Sequence, residues 1–350
     1  MLTKRMCLQA LLVTTMIVSS GWAVVPEKGE IERSHQWFEK SFVAADRIMP
    51  FSFEYGGMSS SEFLKKCAAT QSTKKLDINR NQYTLEFTDP NTGLVVRCVA
   101  VEYLDYPMVE WTVYIENAGK ADTPILKNIQ ALNISVSRPA ASSEYILHHN
   151  KGGSANKDDY QPLQTTLTPA MDYTIKPFGG RPTNDNLSYF NLEIPGETKT
   201  VVLAEMPYGW WKKTRAEQLP GDGMIIAVGW PGQWSARFVR DGDKGLKIVA
   251  GQETTNFILH PGEKVRTPLM ALQFYTGDCV RSQNIWRKWM REHNLPKLGG
   301  KVPTSLLMAA SSAEFYEMTK ATEKDQILFT NRYIEEGLKI DYWWMDAGWY

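Results

Sequence analysis

The chain has 350 residues, of which 43% are hydrophobic and 22% charged, and its 39 Lys and Arg balance its 39 Asp and Glu. Such a composition belongs to a folded globular protein of up to two ordinary domains and excludes disordered and collagen-like classes. Zero net charge gives no basic footprint for nucleic acid and no acidic solvating tail. Aromatic residues are abundant, with 12 Trp, 15 Tyr and 13 Phe. Large core residues account for most indoles, and stacking on flat apolar faces, sugar faces included, is a further use.

Lys4 and Arg5 precede an apolar run from Met6 to Val18, followed by Ser19-Ser20-Gly21-Trp22-Ala23. A basic start, a short apolar stretch and a small-x-small end describe a secretory signal peptide over 1–23, with a buried N-terminal helix as the alternative. The run is short for a bilayer span and no later one is longer. An exported protein, periplasmic or extracellular, without a membrane span is expected. Cys7 leaves with the leader. Cys67, Cys98 and Cys279 have no metal-ligand spacing, and either a Cys67–Cys98 bridge or three isolated thiols fits an oxidising compartment. His148 and His149 are adjacent and point to opposite faces of a strand, so no shared metal is expected there.

From about Gln82 to Thr276 short alternating or apolar runs are separated by turn residues. Tyr83–Phe87 alternates at period two, Asp89-Pro90-Asn91-Thr92-Gly93 turns the chain, and Leu94–Val101 returns it. Further strands are expected over Val109–Glu116, Ile125–Val136, Glu144–His148, Tyr189–Ile194, Thr200–Met206, Met224–Gly229, Leu246–Ala250, Thr255–Leu259 and Arg266–Tyr275. Many short strands without helices between them indicate an antiparallel sandwich with long curved sheets, assigned to 24–277. Two polar loops, Asn150–Tyr160 and Phe178–Asn186, are candidate recognition loops, with solvated connections as the plainer reading. Trp210-Trp211 and the pair Trp230/Trp234 are candidate indole surfaces.

The character changes after Asp278. That residue can cap a helix over Cys279–Glu292, and 278–303 reads as a linking helix and a Pro- and Gly-containing linker. Ser305–Ala310 reads as a buried strand. Thr322 with Asp325 resembles a capping box opening a helix with Ile327, Ile334 and Leu338 on one side, closed by Gly337. Ile340–Met345 is a second strand. Strand, helix, strand is a βαβ unit with parallel strands, and 304–350 is expected to be the start of a (β/α)8 barrel, incomplete at about fifty of the ~250 residues a barrel takes. Ligands bind at the C-terminal ends of barrel strands. Asp346 occupies that position, and alternation puts Tyr342, Trp344 and Asp346 on one face. A carboxylate accepting from hydroxyls beside a ring covering an apolar C–H face suits a sugar, whereas a structural capping role is the alternative.

The segment Ile340-Asp341-Tyr342-Trp343-Trp344-Met345-Asp346-Ala347-Gly348-Trp349-Tyr350 resembles the second barrel strand of glycoside hydrolase family 36, the α-galactosidase family, whose members commonly carry Asp-Asp-Gly-Trp there. Segments Gly229–Trp234 and Ile285–Met290 are similar to stretches of that family. The order of a β-supersandwich, a Trp- and Arg-rich linking helix and a barrel matches as well. The resemblance implies a secreted retaining α-glycosidase, most like an α-galactosidase that removes terminal α-linked galactose from oligosaccharides. It implies substrate-binding roles for Asp346 and Trp349, with Trp344 beneath them. Ala347 replaces the second Asp of the signature, and in Ser312-Ala313-Glu314 Ala313 replaces a Trp, so both departures bear on galactose specificity. The two catalytic carboxylates, about 5–5.5 Å apart in a retaining enzyme, are expected on later barrel strands. Residues 1–350 alone are therefore expected to be inactive. No cofactor or metal is implied, an oligosaccharide or glycoside is the expected partner, and a homo-oligomer is compatible. The alternatives are a family 97-like α-glucosidase or α-galactosidase, which would use calcium, and a non-catalytic carbohydrate-binding sandwich.

Overall fold

The computed structural model describes residues 24–139, 142–205, 212–310 and 319–345. These divide into two compact units, one ending at Arg287 and the other beginning at Lys288.

The larger unit is built on a 10-stranded sheet. Its spatial order is Pro162–Leu167, Tyr145–Asn150, Tyr189–Ile194, Asp222–Gly229, Leu269–Thr276, Met108–Asn117, Leu94–Tyr103, Arg80–Thr88 and Ala68–Lys75, with Lys264–Arg266 also paired to Met108–Asn117. All these pairings are antiparallel. A four-stranded sheet contains Asp172–Ile175, Trp234–Arg240, Gly245–Gln252 and Leu132–Ser137, and another contains Asn256–Phe257, Leu126–Gln130, Ser52–Tyr55 and Met58–Ser59. Alternation makes the layers. In Leu94–Tyr103, residues Leu94, Val96, Cys98 and Ala100 are buried and those between them half-buried; Trp234, Ala236 and Phe238 do the same from the opposing sheet. The two inner faces meet in one core, where Phe190 lies 5.7 Å from Trp234 and 5.5 Å from Phe238, ring centre to ring centre. This is the antiparallel sandwich the alternating runs imply.

Central strands are buried on both faces because helices cover parts of the large sheet. The helix Lys28–Phe38 and the turn after it bring Trp37 and Phe42 to 5.6 and 5.9 Å from Trp111. Glu30 anchors that helix: its buried carboxylate accepts from the Thr276 amide (2.7 Å) and from Arg281 (2.5 Å). On another part of the sheet the helix Cys279–Trp289 begins at Asp278, which accepts from the Arg281 amide at 2.7 Å, the cap expected from the sequence. Beneath it Asn191 donates to Ser282 (2.8 Å), accepts from Tyr275 (2.5 Å), and Gln273 donates to the Ser282 carbonyl (2.9 Å). Gly223 is required by this packing, since a Cβ there would fall 1.9 Å from Tyr275 Cζ.

Several boundaries differ from the sequence reading. Ile125–Val136 is two strands, Leu126–Gln130 and Leu132–Ser137, in different sheets. The chain switches sheets at Ala131, whose carbonyl leaves the ladder to accept from the Trp111 indole at 2.9 Å. Only Asn256–Phe257 of Thr255–Leu259 pairs, and Arg266–Tyr275 is divided by Pro268, which has no amide to donate. Cys67 and Cys98 are free thiols rather than a bridge. Cys98 faces the core, and burial raises the Cys67 thiol to about 11.

In the smaller unit Met308–Ala310 and Tyr342–Trp344 pair in parallel, in the register Met308–Tyr342, Ala309–Trp343, Ala310–Trp344. The helix Glu323–Glu335 lies between them in sequence. Its capping box is formed: the Thr322 amide and hydroxyl both donate to Asp325, each at 2.7 Å. Gly337 takes φ +67°, the left-handed conformation that ends a helix at lowest cost to glycine.

Candidate functional site

The sugar-site hypothesis rests on the second strand of the βαβ unit and on how its three aromatic residues divide between two faces. Trp343 turns to the helix, where its indole donates to Gln326 Oε1 at 2.8 Å and its ring stacks on Phe329 (6.3 Å) and meets Tyr333 edge-on (5.9 Å). Period-two alternation then sends Tyr342 and Trp344 to the opposite face, where they are 45% and 49% exposed. The strand is held at its start by Asp341, which accepts from the Leu307 amide at 2.7 Å and donates its own amide to the Leu307 carbonyl at 2.8 Å. Trp344 is thus presented on a paired strand, on the face turned from the helix. Asp346 and Trp349, the other two candidate binding residues, lie outside the described residues, as does Ser312-Ala313-Glu314.

The indole pairs proposed for a sandwich binding face fare differently. Trp234 is buried, and its indole donates to the Pro182 carbonyl at 2.7 Å. Trp230 is half-buried with the Arg266 guanidinium 5.2 Å from its ring centre. That pair is structural rather than a free binding surface, because both rings already pack against protein. Trp210 and Trp211 lie outside the described residues. His148 and His149 point apart as alternation requires: the first meets Glu193 at 2.9 Å, the second Thr165 at 3.1 Å. Burial lowers the pKa of His149 below the ordinary histidine value.

Sequence reasoning missed the group that fastens the second polar loop. Gln233 donates to the Pro177 carbonyl and to Glu253, each at 2.7 Å, and accepts from the Gly180 amide at 2.9 Å. A Gln after a Gly-Trp-Pro-Gly turn carries no pattern that announces this role.

The sandwich is similar in fold to the N-terminal region of solved family 36 α-galactosidases. Among solved structures, the α-galactosidase AgaA from Geobacillus stearothermophilus superposes with a TM-score of 0.58 at 13% identity, covering 89% of this chain and 41% of that one. The α-galactosidase from Lactobacillus brevis gives 0.58 at 12% identity over 89% and 40%. The galactosidase domain of the α-galactosidase–sucrose kinase AgaSK gives 0.59 at 15% over 89% and 41%. At these identities the likeness is one of fold, and the chain spans about two-fifths of the length of those proteins. Doubly substituted variants of AgaA have been crystallised with raffinose and with stachyose. No family model and no curated protein matches the sequence. Among the described residues no helix is long and apolar enough to cross a membrane.

Proposed function

We propose that the protein is an exported retaining α-glycosidase, most like an α-galactosidase acting on terminal α-linked galactose of oligosaccharides. One observation carries the reading: a sandwich and a parallel βαβ unit occur in a single chain, 89% of which superposes on the α-galactosidase AgaA. In a (β/α)8 barrel the helices lie outside, so the strand face turned from the helix faces the barrel interior and the strand C-termini carry the site. Trp344 lies on that face. On this reading Asp346 accepts hydrogen bonds from sugar hydroxyls, Trp349 covers the apolar ring face, and Trp344 supports both from below. The family expectation assigns bond cleavage to two carboxylates on later strands.

The test is a kinetic comparison in the full-length protein. Asp346→Ala should lower kcat/KM for an aryl α-galactoside by roughly 10- to 100-fold, since a hydrogen bond to a charged group contributes about 1.5–3 kcal/mol, and Trp349→Ala should lower it by about tenfold or more through loss of the buried stacking face. Unchanged kinetics in both variants would remove the proposed site.

A further inference from the structure

Three loops at one end of the sandwich are locked into a single plateau. Gly152 lies so close to the 178–186 loop that a Cβ would fall 1.8 Å from the Thr183 carbonyl oxygen, and the Gly153 amide donates to that carbonyl at 2.8 Å. Ser154 donates to Asp185 at 2.9 Å, joining the loops a second time. Asp159 folds the first loop on itself by accepting from the amides of Ser154, Ala155 and Asn156. Gln233 and Trp234 clamp the second from beneath through Pro177, Gly180 and Pro182.

On this rigid base two aromatic rings face solvent: Tyr160 is 63% exposed and Phe178 is 71% exposed. Exposure of a single ring is ordinary on a protein surface. The backbone conformation adds a cost, because Ala155, Tyr160 and Asp185 take φ of +61°, +62° and +65°. A bulky residue in the left-handed region is uncommon and persists where the surroundings enforce it, often at binding sites. Exposed neighbours are small or polar: Asn156, Lys157, Asp158, Arg181 and Thr183. Isolated rings in a field of hydroxyl-binding groups differ from the contiguous apolar centre a protein interface presents.

The geometry points to this plateau as a second, non-catalytic binding site for neutral oligosaccharides. Tyr160 and Phe178 stack on the C–H faces of pyranose rings, and Asp158, Asn156 and Arg181 bond hydroxyls at the margin. Pre-organised loops lower the ordering cost that otherwise weakens sugar binding. The site lies wholly in the sandwich and stands independently of the hydrolase reading.

The test is calorimetric titration of the protein with stachyose, maltohexaose and xylohexaose at millimolar concentration. Tyr160→Gly removes the ring yet suits the left-handed backbone, and Phe178→Ala removes a ring that is mostly in water, so both variants should keep the wild-type thermal midpoint. At least one oligosaccharide is expected to bind, with affinity reduced about tenfold or more in each ring variant. Absence of binding by all three, or binding insensitive to Tyr160→Gly and Phe178→Ala, overturns the proposal. Binding lost only in Asp346→Ala also overturns it while leaving the barrel site supported. A concentration-dependent dimer in sedimentation that both ring variants dissolve assigns the plateau to a second copy of the chain and equally overturns it.

Discussion

His35 and Glu102 show how a single contact makes stability depend on pH. The imidazole, on the helix Lys28–Phe38, lies 2.5 Å from a buried carboxylate on the strand Leu94–Tyr103, and that hydrogen bond raises its pKa above 6.5. A group raised on folding stabilises fully below its unfolded value, and the contribution is lost as pH rises through the folded one. His35→Gln should therefore destabilise the sandwich at pH 5.5 and leave it unchanged at pH 9. More than half of the ring is exposed, which holds the effect to about 1 kcal/mol or less. Urea titration at both pH values measures this. His149 has the opposite sign: burial lowers its pKa, so its contribution is present above 6.5 and fades as pH falls. Gly223 tests packing directly. Gly223→Ala would set a methyl against the Tyr275 ring, whose hydroxyl is already bonded to Asn191. A loss of about 2 kcal/mol or more in urea unfolding is expected, as for overpacking of other cores.

At the scale of elements, buried ion pairs and caps decide where helices sit. Glu30 is buried and accepts from Arg281, the Thr276 amide and the Glu27 amide. Glu30→Ala should cost about 3 kcal/mol, because it leaves a guanidinium and two amides short of a partner. The double variant Glu30→Met/Arg281→Met should recover part of that loss by equilibrium unfolding. Thr322→Ala should cost about 1 kcal/mol through loss of the capping box and speed amide exchange across Glu323–Glu335. Elements with strong local signals were legible in the sequence. In Tyr189–Ile194 the apolar Phe190, Leu192 and Ile194 alternate with Asn191 and Glu193 and form the strand expected, and Thr322 with Asp325 opens the helix expected. Others were not. Ala68–Lys75 is polar and exposed along its whole length, so no burial alternation marks it as an edge strand. The break at Ala131 answers to the Trp111 indole twenty residues away, a tertiary contact that no local pattern encodes. The helix Lys28–Phe38 is fixed by Glu30 and its distant partners rather than by a strong apolar stripe.

For the molecule as a whole, the antiparallel-then-parallel order was legible because hydrophobic period and turn spacing change after Asp278. Of the candidate site, alternation put Tyr342, Trp344 and Asp346 on one face; Tyr342 and Trp344 lie opposite Trp343, and Asp346 and Trp349 are outside the described residues. The indoles at Trp230 and Trp234 misled, since an aromatic pair around a tight turn reads the same whether it meets a ligand or a carbonyl of its own chain. Fold likeness at 12–15% identity leaves the chemistry to be measured. The most direct measurement is proton magnetic resonance of the full-length protein acting on an aryl α-galactoside, recording both hydrolysis and the first anomer released. Cleavage with the α-anomer appearing first is the expected result, because two displacements at the anomeric carbon retain configuration. Release of the β-anomer first, or no cleavage of α-galactosides or α-glucosides by folded protein, would contradict the retaining α-glycosidase reading.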